Sequence, residues 1–319
     1  MNQNFKNYLL KVTQATDCQE TEIIQSLWSG YGKISRIQLI NSSFKSIVVK
    51  CIELEKIPEH PQGWNTDISH QRKVKSYQVE TNWYRNWSQL CTDDCKIPQF
   101  IGSFKEGKNQ WIVMEDLDAE FPLRKYQLTL NEVKTCLTWL ANFHGRFMQK
   151  KPKGLWEVGT YWHLATRPDE FEKIANQKLK SKACRIDEIL NSCEYQTIVH
   201  GDAKLANFCF SKEGTKVAAV DFQYVGGGCG MKDVAYFLGS CLSDSECEEY
   251  EKELLDFYFI ALNKASINAI DFAKLEEEWR GLYPFAVADF TRFMLGWMPS
   301  HQKVNGYSLN KVKEVLKSL

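Results

Sequence analysis

Residues 198–210 read IVHGDAKLANFCF, and this stretch decides the fold we expect for the chain. Two short apolar runs enclose a set of polar side chains, namely His200, Asp202, Lys204 and Asn207. A related pattern follows in KVAAVDFQYV, residues 216–225, where Asp221 ends another apolar run. Short apolar runs bounded by polar residues are typical of buried strands. Such strands would bring the polar groups at their ends to one place.

These residue types fit phosphoryl-transfer chemistry. Asp and Asn side chains offer the hard oxygen ligands that Mg²⁺ prefers, so Asn207 and Asp221 are candidate magnesium ligands. Asp202 would remain free to hold a hydroxyl group or take its proton. Lys204 would place a positive charge where phosphate charge gathers. A reaction of this kind depends on positioning and charge neutralisation more than on covalent help from the protein.

Three motifs together carry a family resemblance: HGDAKLAN at 200–207, DFQ at 221–223 and DVAYFLGS at 233–240. They resemble the aminoglycoside phosphotransferase/choline kinase-like group of small-molecule kinases, and within it the ecdysteroid-kinase-like branch. The resemblance implies Asp202 as the catalytic residue, with Asn207 and Asp221 as ligands of Mg²⁺. Lys204 matches the lysine that lies two residues after the catalytic Asp in many protein kinases.

The resemblance also implies a nucleotide-binding half in the first part of the chain, with ATP as the cofactor. Lys50 in SIVVKCI, residues 46–52, is placed to anchor the phosphates, and Glu80 is placed to pair with it. In WIVMEDL, residues 111–117, the backbone would meet the adenine base and a methionine would line its pocket. The residues assigned to this base-binding segment are Met114, Glu115, Asp116 and Leu117.

Two segments depart from a protein kinase. INSSFKS, residues 40–46, takes the place of a glycine-rich phosphate loop, so serines and backbone N–H groups would have to serve instead. No APE motif follows Asp221. The glycines at 226–230 predict a short flexible segment, which either lines the acceptor site or is a loop that needs positive φ.

The order of predicted elements indicates an α+β fold. Helical spacing covers residues 5–28, and two strands at 34–40 and 44–52 form a hairpin. A loop at 55–71 precedes a helix, two more strands flank Gly107, and the remainder is mostly helical, including a helix at 169–194. This order agrees with the fold that the resemblance implies, and the fold class we predict is a two-lobed protein-kinase-like fold. Residues 1–116 form a small antiparallel-sheet lobe that binds nucleotide, and residues 117–319 form a larger, mainly helical lobe for catalysis and the acceptor.

Composition excludes several other classes. With 40 basic and 40 acidic residues, the 319-residue chain has no net charge to favour nucleic acid or an anionic membrane. The polar N-terminus predicts no secretion signal, and no apolar run is long enough to span a membrane. Eleven scattered cysteines fit free thiols in a reducing cytoplasm better than disulfides or a zinc site.

The sequence therefore predicts a cytoplasmic kinase that uses ATP and Mg²⁺ to phosphorylate a hydroxyl group of a small molecule. A non-catalytic nucleotide-binding module and a protein kinase remain as alternatives. The acceptor stays open among choline-like amines, aminoglycosides, sugars and steroid-like alcohols. Asp289 with nearby aromatic residues could hold a cationic amine by cation–π contact, although a core role is favoured for Phe290 and Phe293. We expect Asp233 to brace the catalytic loop and His144 to be a core residue.

Overall fold

The fold divides into two compact units, seen in a computed structural model. The residues that the structure describes are 1–27, 30–54, 67–266 and 270–319. The first unit consists of Met1–Leu90 and Ile97–Glu120. The second consists of Cys91–Lys96 and Phe121–Leu319.

A five-stranded antiparallel sheet forms the first unit, in the order β1-β2-β3-β5-β4. Its elements are α1 (Gln3–Thr13), β1 (Asp17–Ser26), β2 (Gly32–Ile40), β3 (Ser46–Glu53), α2 (Asp67–Asn86), β4 (Phe100–Glu106) and β5 (Asn109–Glu115). Helix α1 packs its apolar face on the sheet, where the ring of Phe5 stacks on Trp111 with centroids 5.0 Å apart. The strand β3 lies between β2 and β5, so the residues that it carries are held on both sides.

The helical prediction for residues 5–28 is wrong beyond the first helix. Residues 17–26 form β1, which pairs with β2 from Asp17 opposite Ile40 to Ser26 opposite Lys33. Ile23 and Ile24 suggested a buried helical face, yet they are 58% and 41% exposed on this edge strand. Their β-branched side chains suit a strand, and ladder pairing overrides the helical spacing. Residue 28 and most of the predicted loop, 55–66, lie outside the described residues.

The second unit is mostly helical, with two small antiparallel strand pairs. Its strands are β6 (Thr197–Val199), β7 (Phe208–Phe210), β8 (Val217–Ala219) and β9 (Gly226–Gly228). Its helices are α3 (Leu130–Arg146), α4 (Pro168–Glu172), α5 (Gln177–Asn191), α6 (Met231–Cys241), α7 (Asp244–Ala265), α8 (Phe272–Trp297) and α9 (Gly306–Ser318). The predicted helix at 169–194 is thus two helices. The predicted fold class, an N-terminal antiparallel sheet followed by a mainly helical part, is confirmed.

The glycine-rich segment is a buried strand, which corrects the prediction of a flexible loop. Gly226–Gly228 form β9, which pairs with β6 directly before residues 200–207. A Cβ atom on Gly226 would lie 2.3 Å from the carbonyl oxygen of Trp156. Glycine is needed here because neighbouring backbone approaches too closely for any side chain.

Two further predictions concern membranes and thiols. Within the described ranges, no helix is both long and apolar enough to cross a membrane. All eleven cysteines belong to the described part of the chain, and each is a free thiol.

Candidate active site

The β7–β8 hairpin brings the two predicted magnesium ligands to the same end of one element. Phe208 lies opposite Ala219, and the N–H of Val220 donates to the carbonyl of Asn207 at 3.0 Å. Asn207 directly precedes β7, and Asp221 follows β8 by two residues. Asp221 has a φ of 71°, in the left-handed region that Asp tolerates better than most residues. The hairpin register therefore explains why residues 14 positions apart meet.

Asp202 lies beside Asn207 and Lys204. Its Oδ2 accepts hydrogen bonds from Lys204 Nζ at 3.0 Å and from Asn207 Nδ2 at 3.1 Å. Asn207 Nδ2 also donates to the Asp202 carbonyl at 2.7 Å. Because the side-chain nitrogen of Asn207 donates to Asp202, the side-chain oxygen of Asn207, Oδ1, is the atom that can bind a cation. The other carboxylate oxygen of Asp202, Oδ1, is buried and makes no direct hydrogen bond, and the Tyr236 hydroxyl lies close enough to interact with the Asp202 carboxylate.

The charges of both carboxylates of the site act on the pKa of Lys204. Burial lowers its pKa, but the charges of Asp202 and Asp221 outweigh burial, so the pKa of Lys204 is raised. The ammonium group is therefore held as a cation next to the two acids. Among the residues that the structure describes, no three His, Cys, Asp or Glu side chains form a metal cluster. One carboxylate and one amide oxygen are instead the kind of sparse set that Mg²⁺ completes with water and phosphate oxygens.

Asp233, on α6, holds the loop that carries Asp202. Its Oδ2 accepts the backbone N–H of His200 at 2.6 Å, and its Oδ1 accepts that of Gly201 at 2.9 Å. His144 Nε2 lies 3.1 Å from Oδ2, and His144 Nδ1 lies 2.8 Å from the Tyr258 hydroxyl. Asp233 and His144 are both fully buried. These contacts are those of a brace and a satisfied core histidine, as we expected from the sequence.

His200 connects the loop that carries Asp202 to the segment that ends in Asp221. Its Nδ1 accepts the N–H of Asp202 at 3.2 Å, and its Nε2 lies 3.0 Å from the carbonyl of Val220. With Nδ1 as acceptor, Nε2 must carry the proton and donate. The next residue, Gly201, has a φ of 78°, and a Cβ there would lie 2.1 Å from the Tyr224 carbonyl oxygen. The HGD sequence thus fixes a tight turn directly before the carboxylate.

In the first unit, Lys50 and Glu80 form a buried ion pair. Lys50 Nζ on β3 lies 2.7 Å from Glu80 Oε2 on α2, and the two side chains are 3% and 1% exposed. The ring of Tyr77 lies 5.8 Å from the same nitrogen. Burying two charges is costly, so a pair in this position is weak support for stability and suits a functional role better. The sequence prediction placed these two residues together, and the structure does so.

Some polar groups of the predicted base-binding segment already make hydrogen bonds within the first unit. The N–H of Glu115 donates to the carbonyl of Gln99 at 2.9 Å, so this amide already has an acceptor. The Asp116 carboxylate accepts from Arg36 Nε at 2.7 Å and from the hydroxyl of Ser46 at 2.7 Å. Burial raises the pKa of Asp116, but these two donors outweigh it and lower that pKa overall. The Asp116 side chain is therefore a brace between strands.

Two other residues of this segment, and the serines of the first hairpin, occupy defined places. Met114 and Leu117 are both buried. Ser42 donates its hydroxyl to the carbonyl of Thr13 at 2.7 Å, and Ser46 donates to Asp116 as described. These two hydroxyl groups therefore serve contacts inside the first unit, while Ser43 of the same hairpin is exposed.

A known family matches the part of the chain that contains the candidate site. The model of the ecdysteroid kinase-like family matches residues 157–270. This range contains Asp202, Asn207, Asp221 and the brace Asp233. The resemblance inferred from the sequence motifs is thereby confirmed. No curated protein matches the chain in sequence.

Solved structures share the fold over nearly the whole chain. A microcompartment-associated aminopropanol kinase is similar with a TM-score of 0.52 and 14% identity, covering 98% of this chain and 94% of that one. An ethanolamine kinase of Plasmodium vivax has a TM-score of 0.51 and 11% identity, covering 93% of this chain and 83% of that one. At these identities the likeness shows the fold alone, which is the kinase-like fold predicted from the sequence.

Several residues near Asp202 were missed or left undecided by sequence reasoning. A cluster of aromatic residues in the second unit, which we call the aromatic face, consists of Tyr161, Tyr236, Phe290, Phe293 and Trp297. Burial raises the pKa of Tyr161 and of Tyr236, and the negative charge of Asp202 raises both further. The Asp202 carboxylate is therefore close enough to act on both phenols. Tyr236 lies in the DVAYFLGS motif, which was a usable signal; Tyr161 has no such signal.

Asp289 does not provide the predicted site for a cation. Its side chain is buried, lies 2.8 Å from the Arg292 guanidinium, and accepts from Trp162 Nε1 at 3.0 Å. A carboxylate neutralised in this way offers no charge to a ligand. Trp279 is a core residue that donates to the Tyr195 carbonyl at 2.9 Å.

Proposed function

We propose that this chain is a kinase that uses ATP and Mg²⁺ to phosphorylate a hydroxyl group of a small molecule. The observation that carries the proposal is the state of Asp202. One carboxylate oxygen is held by Lys204 and Asn207, while the other is buried and makes no direct hydrogen bond, with the Tyr236 hydroxyl nearby. Buried polar atoms without partners are uncommon and call for an explanation. A hydroxyl group of an acceptor is the donor that would satisfy this oxygen, and losing its proton there would make it a nucleophile.

The neighbouring residues supply the other requirements of phosphoryl transfer. Asn207 Oδ1 and the Asp221 carboxylate would hold Mg²⁺, which neutralises phosphate charge when it is bound. Lys204 keeps an ammonium group beside Asp202, where it would steady the transferred phosphoryl group. His200 and Asp233 hold the loop so that these groups need little reorganisation during the reaction.

The first unit would bind the nucleotide. Lys50, held by Glu80, would orient the α- and β-phosphates, which explains why a costly buried ion pair is present. Residues 114–117 would contact the adenine base, with Met114 against the ring and backbone groups of 115–117 on its edge. Because the Glu115 amide already donates to Gln99, the remaining backbone groups of the segment would make that contact.

Two alternatives remain, and each differs in a measurable way. A protein kinase would phosphorylate generic protein substrates, whereas a non-catalytic module would bind ATP without consuming it. The family match and the fold of small-molecule kinases both support the small-molecule reaction. The free state of all eleven cysteines supports our proposal of a cytoplasmic location.

A turnover assay on Asp202→Asn tests the proposal. ADP formation from Mg²⁺-ATP is measured with a panel of small hydroxyl compounds and with generic protein substrates. We expect acceptor-dependent turnover by the wild-type chain only with small molecules. Asp202→Asn should lose about 100-fold or more, since a positioned base contributes at least that much. Asp94→Asn, an exposed aspartate in the same unit, is the matched control and should keep full activity. Unchanged turnover in Asp202→Asn would contradict the assignment.

A further inference from the structure

Lys303 occupies an unusual position over the aromatic face. Its Nζ lies 4.5 Å from the ring centroid of Tyr236 and 5.5 Å from that of Phe290. These distances are within cation–π range. In the described part of the chain, no carboxylate lies within ion-pairing distance of this ammonium group. Lys303 is thus a half-buried cation that lies over ring faces and has no acid in direct contact.

The same lysine interacts electrostatically with the catalytic loop. Burial lowers the pKa of Lys303 to about 8, against the attraction of Asp202, while Lys204 lowers it further. The Tyr236 ring under Lys303 carries a hydroxyl group 3.2 Å from that of Tyr161. Asp202 acts on both of these phenols as well. Lys303 therefore lies on the side of Asp202 where the aromatic face is found.

Such a position bears on the charge of the acceptor. A cationic acceptor needs either an acid or an open ring face to offset the loss of its hydration. Two acids lie in this region, and each is already paired with a cation of the chain: Asp289 with Arg292 and Asp202 with Lys204. The rings of Tyr236 and Phe290 are already occupied by the chain's own cation. A second positive charge here would meet repulsion without compensation.

We propose that Lys303 is a specificity-determining residue that excludes cationic acceptors and admits alcohols without a positive charge. The proposal rests on the proposed function only in calling the bound alcohol an acceptor, because selection by charge is a property of binding alone. It distinguishes this chain from enzymes that act on amino alcohols, such as those named for the two similar structures. Removing the ammonium group should open the ring faces to an external cation.

Saturation-transfer NMR with two matched probes tests this proposal on the full chain without nucleotide. The probes are choline and its uncharged isostere, dimethylbutanol, in which carbon replaces the quaternary nitrogen. The proteins are wild type, Lys303→Met, which keeps the length and apolar contacts of the side chain, and Lys303→Glu. We expect the wild type to bind dimethylbutanol and not choline. Choline should bind Lys303→Met at least about tenfold more tightly than wild type, because the repulsion between two like charges is removed. It should bind Lys303→Glu more tightly still, because the new carboxylate attracts the choline cation.

Controls make each outcome decisive. Lys313→Met removes the same charge from an exposed position on α9 and should leave choline binding as in wild type. Circular dichroism confirms that each variant is folded, and Lys303→Glu provides a second variant if Lys303→Met is not. Equal binding of choline and dimethylbutanol to the wild type would overturn the proposal. So would failure of every folded Lys303 variant to gain choline binding. Failure of the proposed function would appear separately, as absent ATP turnover with charge selection intact.

Discussion

Replacement of Asp233 tests whether this residue positions the catalytic loop. Its carboxylate accepts three donors: the backbone N–H groups of His200 and Gly201, and the ring of His144. In Asp233→Asn one oxygen becomes an NH₂ donor, so at least one N–H group loses its acceptor. Leaving one buried donor unsatisfied costs about 1–3 kcal/mol. In Asp233→Ala all three donors lose their acceptor, and even at about 1 kcal/mol each the loss reaches ~3 kcal/mol.

Urea denaturation measures the loss, and amide hydrogen exchange locates it. We expect the order wild type, Asp233→Asn, Asp233→Ala in decreasing free energy of unfolding, with faster exchange confined first to residues 198–210. Asp94→Ala removes an exposed carboxylate of the same unit and should change stability by no more than about 0.5 kcal/mol. If Asp233→Ala matched this control in both stability and exchange, the bracing role would be refuted.

Three other predictions concern charge pairing, backbone geometry and pH. Glu80→Gln should cost about 3–5 kcal/mol by removing the carboxylate charge beside the buried Lys50 ammonium group; the double variant with Lys50→Met should lose less in urea denaturation, and strict additivity would contradict the pairing. Gly201→Ala should destabilise the chain by more than about 1 kcal/mol because of its φ of 78° and the 2.1 Å approach of a carbonyl oxygen, and an unchanged thermal midpoint would refute this. Burial holds the pKa of Lys303 at about 8, below 10.5 for the free side chain, so the unfolded chain binds more protons between these values and stability should rise with pH there. Urea midpoints at pH about 8 and about 10 check the last prediction, and an identical rise in Lys303→Met would contradict it.

The sequence predicted the local part of the candidate site well. Asn207 and Asp221 lie at the ends of two strands that the apolar runs predict. Pairing of these strands brings the two side chains together. The HGD turn needs a glycine before Asp202, and the motif supplies it. Lys50 and Glu80 could be matched across 30 positions because the resemblance predicted a partner on the following helix.

Long-range packing explains what the sequence did not reveal. Ile23 and Ile24 have helical spacing, but their strand is fixed by pairing with β2, which the local pattern does not show. Glycine is needed at position 226 because the backbone of Trp156, 70 positions earlier, passes against it. Lys303 carries no motif, and its contact with Tyr236 depends on how the chain returns after α8.

Calorimetry of nucleotide binding tests the central claim most directly, because it needs no knowledge of the acceptor. The claim is that Asn207 and Asp221 bind the magnesium ion of a nucleotide beside Asp202. We predict that wild type binds ATP only with Mg²⁺, that Asp202→Ala keeps nearly the same affinity, and that Asp221→Ala loses it. Equal affinity for Mg²⁺-ATP in wild type and Asp221→Ala would contradict the account.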